Sequence, residues 1–434
     1  MRANWFSSAL ERRNFRMLSF DGVLYNIALT FLDATILIPL FLTELGGSPL
    51  WIGLATAIRQ VGFILPQLLI ARWLPRIPRL TRFVFGTYLL CRFAFLLVIL
   101  AMVNRMSPEI VMLAFFLGYT MFSLGEGIIQ VPWMDVFGRT ISPHNHGRLF
   151  GLMQTFGGIG AFLCGLVIQH VLAHPQQFPY PGNFIVIFSL AFVLLFVSTL
   201  SFLYVKEGPR RRIEPKENGS GWLGRGHLLR TWRHNTAFRR LLIVQTLLGL
   251  HQTAMPFYIL YVQRLPAFAK ASVGDLVLAQ VIGGIAGGLL LGSMSARLGN
   301  RATISLTVMI SACVPGLILL AGQLGAGPHA IDVQYWVWLG FFLLGVAGAG
   351  WIGCTNYLLE ISNDETRGRF VAYLNTCSAP LAILPIFSAS MIDRISYEAV
   401  FLIVLLLLLV ALCWSFRLPK SGRRRSRDFV SWSA

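Results

Sequence analysis

Asn14-Phe15-Arg16-Met17-Leu18 leads into one long apolar run, and Ala237-Phe238-Arg239-Arg240-Leu241 leads into another after a basic stretch near the middle of the chain. Outward from these two leads, both halves follow the same course. Each continues through several membrane-length apolar segments, with an Ala-Arg exit from the second (Ala71-Arg72, Ala296-Arg297) and a Gly-Arg start to the fifth (Gly147-Arg148, Gly368-Arg369). Duplicated hydrophobic halves are a transporter signature, because such repeats enclose a site at the membrane centre.

Composition sets the class. Of 434 residues, 56% are hydrophobic and 12% charged, with a mean hydropathy of +0.67. That is too little charge to coat a soluble surface and too much apolar sequence for one core. The apolar segments of the first half read as Phe20–Leu45, Leu50–Leu74, Leu80–Val103, Glu109–Val136, Arg148–Leu172 and Asn183–Tyr204. Those of the second half read as Leu241–Tyr261, Asp275–Ala296, Ala302–Leu324, Tyr335–Leu359, Arg369–Ile392 and Tyr397–Phe416. Most approach the ~20 residues a helix needs to cross hydrocarbon. The expected fold is an all-α integral membrane protein of about twelve transmembrane helices in two six-helix, pseudo-symmetric bundles. Its divisions are a leader (1–19), an N-terminal bundle (20–204), a basic linker (205–240), a C-terminal bundle (241–416) and a basic tail (417–434).

The net charge of +18 is confined to one side of this arrangement. Arginines and lysines crowd the leader, the two-three turn, the four-five loop, the linker and the tail, whereas the opposite loops hold only Arg105, Arg264, Lys270 and Arg394. The positive-inside bias then puts both termini in the cytoplasm of a multi-pass protein of the plasma or inner membrane. It accounts for the basic balance without a nucleic-acid partner and leaves the linker and tail to meet anionic lipid. Trp5, Phe6, Ala9 and Leu10 share a helical face, consistent with a short interfacial helix in the leader.

Chemistry other than transport finds little support. All six cysteines fall inside apolar segments without zinc spacing, and they read as small apolar fillers. Pro143-His144-Asn145-His146 and the pair His170 and His174 lack an acid or thiol to complete a metal set. No Walker A motif, serine elbow or metalloprotease helix appears. No enzyme activity, cofactor or resident metal is expected.

With two six-helix halves, a basic linker, the Asn-Phe-Arg lead with its echo, and arginines at the two-three and eight-nine turns, the chain resembles the major facilitator superfamily over nearly its whole length. The family's acidic Gly-x-x-x-Asp-Arg-x-Gly turn stands here as Ala71-Arg72-Trp73-Leu74-Pro75-Arg76, without the aspartate and glycines. Its second copy, Gly292-Ser293-Met294-Ser295-Ala296-Arg297-Leu298-Gly299-Asn300-Arg301, has Ala for the acid. Arg72 and Arg297 are retained as gate candidates. Asp135 and Glu360 end helices four and ten and are expected to act as cytoplasmic latches with arginines entering the next helix, Arg148 on one side and Arg367 or Arg369 on the other. The alternative is ordinary helix-end charges, whose exposed pairs contribute about 0 to 1 kcal/mol.

Four charges fall near mid-membrane, all in the first half: Asp33, Arg59, Arg92 and Glu126. A charge at that depth costs several kcal/mol, so each is expected to face protein or water and to find a partner. Asn26, Thr30 and Asp33 share one helical face, and Tyr119, Ser123, Glu126 and Gln130 share another. The family resemblance implies that helices one, four, seven and ten line the cavity. Helices seven and ten would add Gln245, Gln252, Trp351, Thr355 and Asn356. Asp33 and Glu126 are the expected proton acceptors, weighed against static acid-arginine pairs that fix packing. The third helix is peripheral in the family, which makes Arg92 the weakest cavity candidate. Small-residue faces, Gly283, Gly284, Gly287, Gly288 and Gly292 in helix eight and Gly157, Ala161 and Gly165 in helix five, are expected to let the halves approach and rock.

The expected function is secondary active transport of a small organic solute by alternating access with coupled protons, in a monomer surrounded by membrane lipid. The alternatives are a flippase-like carrier of lipid or lysolipid and a multidrug exporter of the same fold. Gly160-Ala161 stands where drug exporters carry Gly-Pro, which weakens the last.

Overall fold

The computed structural model describes residues 8–207, 232–233, 235–265, 268, 273–325, 333–362, 370, 373–374 and 376–419. Among these residues the secondary structure is entirely helical. The first half comprises α1 (Ala9–Phe31), α2 (Leu37–Glu44), α3 (Pro49–Trp73), α4 (Leu80–Ala94), α5 (Leu96–Val103), α6 (Pro108–Thr140), α7 (Pro143–Ala173) and α8 (Gly182–Leu200). The second comprises α9 (Thr236–His251), α10 (Met255–Val262), α11 (Val273–Arg297), α12 (Asn300–Gly325), α13 (Val333–Gly348), α14 (Trp351–Ile361), α15 (Leu384–Arg394) and α16 (Tyr397–Ser415). Ten spans among the described residues are long and apolar enough to cross a membrane. The first and seventh crossings are not among these ten.

The sequence predicts a single helix for each crossing; the structure interrupts the third at Phe95 and the tenth between Gly348 and Trp351, as well as the first and the seventh. The first stops at Phe31 and restarts at Leu37; the seventh stops at His251 and restarts at Met255. Pro256 opens α10, where its missing N–H is not needed for a helical bond. Asp33 closes the gap in the first crossing by accepting from the N–H groups of Thr35 (2.9 Å) and Ile36 (2.7 Å) just ahead of α2. Both crossings also start earlier than expected. Residues 9–19 form the first three turns of α1, where Glu11 and Asn14 are buried. Glu11 Oε1 accepts from Ser142 N (2.9 Å), Ser142 Oγ (2.6 Å) and Asn145 Nδ2 (3.0 Å). It thereby places negative charge at the N-terminus of α7.

The repeated lead ties helix ends together. Asn14 exchanges two hydrogen bonds with the backbone of Lys206, at 2.9 and 3.0 Å, and so holds the chain that leaves α8. In the second half Arg240 and Arg301 donate to the carbonyls of Arg417 and Phe416, which follow α16. Different groups anchor the corresponding point in each half.

The cores show how the halves meet. On the membrane face away from the described chain ends, one continuous apolar cluster joins both halves, with Phe41, Phe115, Phe184 and Phe188 from the first and Phe257, Tyr258, Val277 and Phe401 from the second. On the face that carries Ala9 and Arg417, two separate clusters replace it, one drawn from residues 15–205 and the other from residues 238–418. Buried apolar area therefore seals the far face, and each half closes on itself at the terminal face.

Antiparallel helices α7 and α11 form part of the seam. Gly158 lies against Ile285, Gly165 against Leu278, and Gln169 against Gly274. Each step along α7 is matched by an equal step back along α11. The expected use of the helix-eight glycines needs correction. Gly283 and Gly287 sit against the backbone of Phe342 and Val346 on α13, within the second half. Gly157 similarly meets Asn26 of α1. Of the glycines singled out, Gly165 is the one set directly against the other half.

Candidate substrate and coupling site

Asn26, Thr30 and Asp33 occupy one face of the first crossing and line a cavity of about 210 Å³ against Val277, Gln280 and Val281 of α11. Asp33 is thus at the seam, paired with neither Arg59 nor Arg92. Its Oδ1 also accepts from Thr35 Oγ1 at 2.7 Å, and its Oδ2 accepts from Gln280 Nε2 at 3.3 Å. Thr35 Oγ1 lies 3.0 Å from Gln280 Oε1. A carboxylate at the start of α2 is favoured by the helix dipole, and here it also bridges the two halves.

The second stripe turns inward. Tyr119, Ser123 and Glu126 are buried inside the first half, and Gln130 is half-buried. Arg92 is 1% exposed, so it is an interior residue and not part of a cavity wall. Its Nη1 donates to Leu195 O (2.5 Å), Thr199 Oγ1 (2.7 Å) and Ser198 Oγ (3.2 Å). Its guanidinium carbon lies 3.6 Å above the Tyr88 ring, and its Nε is 3.7 Å from Glu126 Oε1. Asp21, which the sequence reading passed over, completes the cluster. It accepts from Ser198 Oγ at 2.5 Å and from Trp133 Nε1 at 2.9 Å. A buried ion cluster held this closely from four helices fixes their packing.

Arg59 has a different setting. Its guanidinium lies over Phe122 (5.4 Å) and Phe63 (5.8 Å) and faces Tyr25. Its Nη1 is buried and without a hydrogen bond.

The second half contributes neutral groups. Gln245 is half-buried with its Oε1 unpartnered, while Gln252, Thr355 and Trp351 (64%) are exposed. Asn356 donates to Ser295 Oγ at 3.1 Å, Ser295 donates to Asn300, and Asn300 donates to Glu360 Oε1 at 2.7 Å. Asn356 and Glu360 are thereby joined in one chain of hydrogen bonds at the terminal end. His251, at the end of α9, places Nδ1 3.4 Å from Tyr258 and leaves a buried Nε2 unpartnered.

The expected latch differs as well. Helix four runs to Thr140, so Asp135 is a turn inside it and pairs with Arg139 on the same helix at 2.6 Å. Arg148 lies in the second turn of α7, exposed, with its guanidinium 5.9 Å from the Phe15 ring. Arg297 is exposed at the end of α11. Arg72 falls within α3, with its side chain outside the described set; Arg367 and Arg369 also lie outside the described residues.

A sequence profile described as Major Facilitator Superfamily matches residues 23–273 and 241–433. The chain belongs to this superfamily. It is therefore a secondary transporter that binds a small-molecule substrate, in a family of carriers and not of enzymes. Similar solved structures cover almost the whole chain. A bacterial homologue of the iron transporter ferroportin, in an inward-facing state, has 15% identity and a TM-score of 0.68 over 96% of this chain and 100% of its own. A point mutant of the nucleoside transporter NupG has 14% identity and a TM-score of 0.67 over 95% and 100%. A POT family transporter in complex with 5-aminolevulinic acid has 13% identity and a TM-score of 0.67 over 94% and 97%. At these identities the likeness concerns fold alone. No curated protein matches the chain in sequence.

Proposed function

We propose that this transporter moves a small organic solute by alternating access, with protons coupled to the cycle. Two bundles, residues 20–204 and 241–416, rock about the seam, joined by the basic linker 205–240. The terminal face is the cytoplasmic one, given the concentration of Lys and Arg there, and the state described is open toward that side. The observation that carries this reading is the asymmetry of the cores, continuous across the halves at the far face and divided at the terminal face.

Asp33 is the coupling residue in this scheme. As a carboxylate it accepts four hydrogen bonds, including the one from Gln280 across the seam. Protonation removes an acceptor site and weakens the charge-assisted bonds, which loosens both the start of α2 and the tie to α11. Proton occupancy and opening of the far face are then linked through differential stability of the two states.

The test uses proteoliposomes with an imposed pH gradient and radiolabelled sugars, nucleosides, organic acids and amines. The expected result is gradient-driven accumulation of at least one solute and proton-independent exchange in Asp33→Asn. Absence of accumulation of any solute would sink the carrier reading, and undiminished proton flux in Asp33→Asn would sink the role of Asp33.

A further inference from the structure

The two arginines deep in the first half differ in setting: Arg92 is buried with a carboxylate beside it, and Arg59 is half-buried without one. Arg92 has Leu195, Ser198 and Thr199 on its Nη1 and Glu126 beside its Nε, although its Nε and Nη2 make no hydrogen bond. For Arg59, no carboxylate oxygen lies within 4.0 Å among the described residues. The rings of Phe63 and Phe122 lie near the guanidinium, with its carbon over each ring face, as in a cation-aromatic contact. Tyr25 is within hydrogen-bonding reach of the group, and Nη1 is buried without a partner. Holding a half-buried guanidinium at this depth without a carboxylate against it is costly. That arrangement is explicable if a ligand completes it.

We propose that Arg59 is the docking point for the carboxylate of the transported solute, which makes the substrate a small organic monoanion with an apolar body. The proposal rests on the carrier reading above. A guanidinium edge presents parallel N–H groups that match a carboxylate in a bidentate pair. Tyr25 faces the same guanidinium, and Tyr119 lies within electrostatic range of both Arg59 and Asp33. The site thus offers one cation and aromatic surfaces, which suits a monoanion better than a phosphate dianion. Along the membrane-spanning interior of the first half, Asp21, Asp33 and Glu126 outnumber Arg59 and Arg92 by one charge. An entering carboxylate adds to that excess, and a proton taken up with it offsets the addition. Anion binding at Arg59 therefore supplies a reason for proton coupling.

Hippurate, its neutral amide hippuramide, the cation N-(2-aminoethyl)benzamide and phenyl phosphate form a size-matched probe set. Thermal stabilisation of the purified full-length protein is measured against each, since binding to the folded state raises apparent stability. Hippurate is expected to act at concentrations about ten- to a hundred-fold lower than hippuramide, the scale of a charge-assisted pair. Arg59→Gln should abolish the difference while Arg59→Lys retains part of it, both variants being checked for monodispersity. Equal responses to hippurate and hippuramide, no response included, overturn the proposal. So does a stronger response to the amine or to phenyl phosphate, or a hippurate preference that survives Arg59→Gln. Counterflow of labelled solutes in proteoliposomes separates the two levels. Transport of neutral or cationic solutes unaffected by Arg59→Gln leaves the carrier and removes the anion site. Hippurate binding without counterflow of any solute leaves the site and removes the carrier.

Discussion

Arg92→Leu is the substitution that most directly separates a scaffold from a coupling element. The guanidinium makes three hydrogen bonds through Nη1 at 2.5, 2.7 and 3.2 Å, lies 3.6 Å over Tyr88 and neighbours Glu126 at 3.7 Å. Leucine removes all of these and leaves Glu126, 5% exposed, and Asp21, 2% exposed, without the cation they share. Breaking a buried ion pair from one side costs about 3–5 kcal/mol, because the remaining charge stays desolvated. Glu126→Gln is milder, about 1–3 kcal/mol, since Arg92 keeps its bonds to Leu195, Ser198 and Thr199. The double variant should recover about 0.5–3 kcal/mol relative to the sum of the singles. Denaturant unfolding in mixed micelles, followed by far-UV circular dichroism, reads these differences. An Arg92→Leu protein within about 1 kcal/mol of the parent, or a double variant whose cost equals the sum of the singles, would refute the scaffold role.

Two further outcomes follow from the glycines. A step of seven residues toward the terminal face from the Gly158–Ile285 contact reaches Gly151 on α7 and Gly292 on α11, and a Cβ built at either meets nothing within 4 Å. These positions lie about 10 Å along the helices from that contact, so cysteines placed at 151 and 292 in a cysteine-free background should cross-link when the terminal face closes and far less when it is open; equal cross-linking in both states contradicts the rocking geometry. Within the second half, a methyl at Gly283 would overlap the Phe342 carbonyl oxygen, whereas one at Gly288 meets nothing within 4 Å. Gly283→Ala should cost about 1–3 kcal/mol and Gly288→Ala no more than about 0.5 kcal/mol, and similar melting shifts for the two would show that α11 does not pack as described.

Charge in an apolar window is readable because its cost is independent of tertiary detail, which is why Asp33, Arg59, Arg92 and Glu126 stood out. Their partners were not readable. Ser198 and Thr199 lie 106 and 107 residues from Arg92, and shared helical phase places Tyr119, Ser123 and Glu126 on one face without saying which helix that face meets. Asp21 was missed for a specific reason. The apolar run starts at Phe20, so Asp21 resembled an interfacial charge, but α1 begins at Ala9 and puts it well inside the helix. The broken crossings left only an ambiguous signal. Pro256 starts a helix, whereas Pro66, Pro132 and Pro315 lie inside unbroken ones. A proline bends or ends a helix according to what else can satisfy the freed backbone.

The breaks place the coupling candidate where the two halves can act on it. In an unbroken first crossing Asp33 would need a cation, and neither Arg92, committed to α8, nor Arg59 forms an ion pair with it. The break supplies backbone N–H groups at the start of α2 instead, and these neutralise the carboxylate without a salt bridge. Gln280 then adds a bond from the other half. Because that bond crosses the seam while the backbone bonds do not, separating the halves leaves Asp33 charged, capped and short of one donor. A proton or a water has to make up the difference. In the proposed cycle the packing of Arg92 and Glu126 and the setting of Asp33 are complementary, since one holds the first half together while the other changes with the angle between the halves.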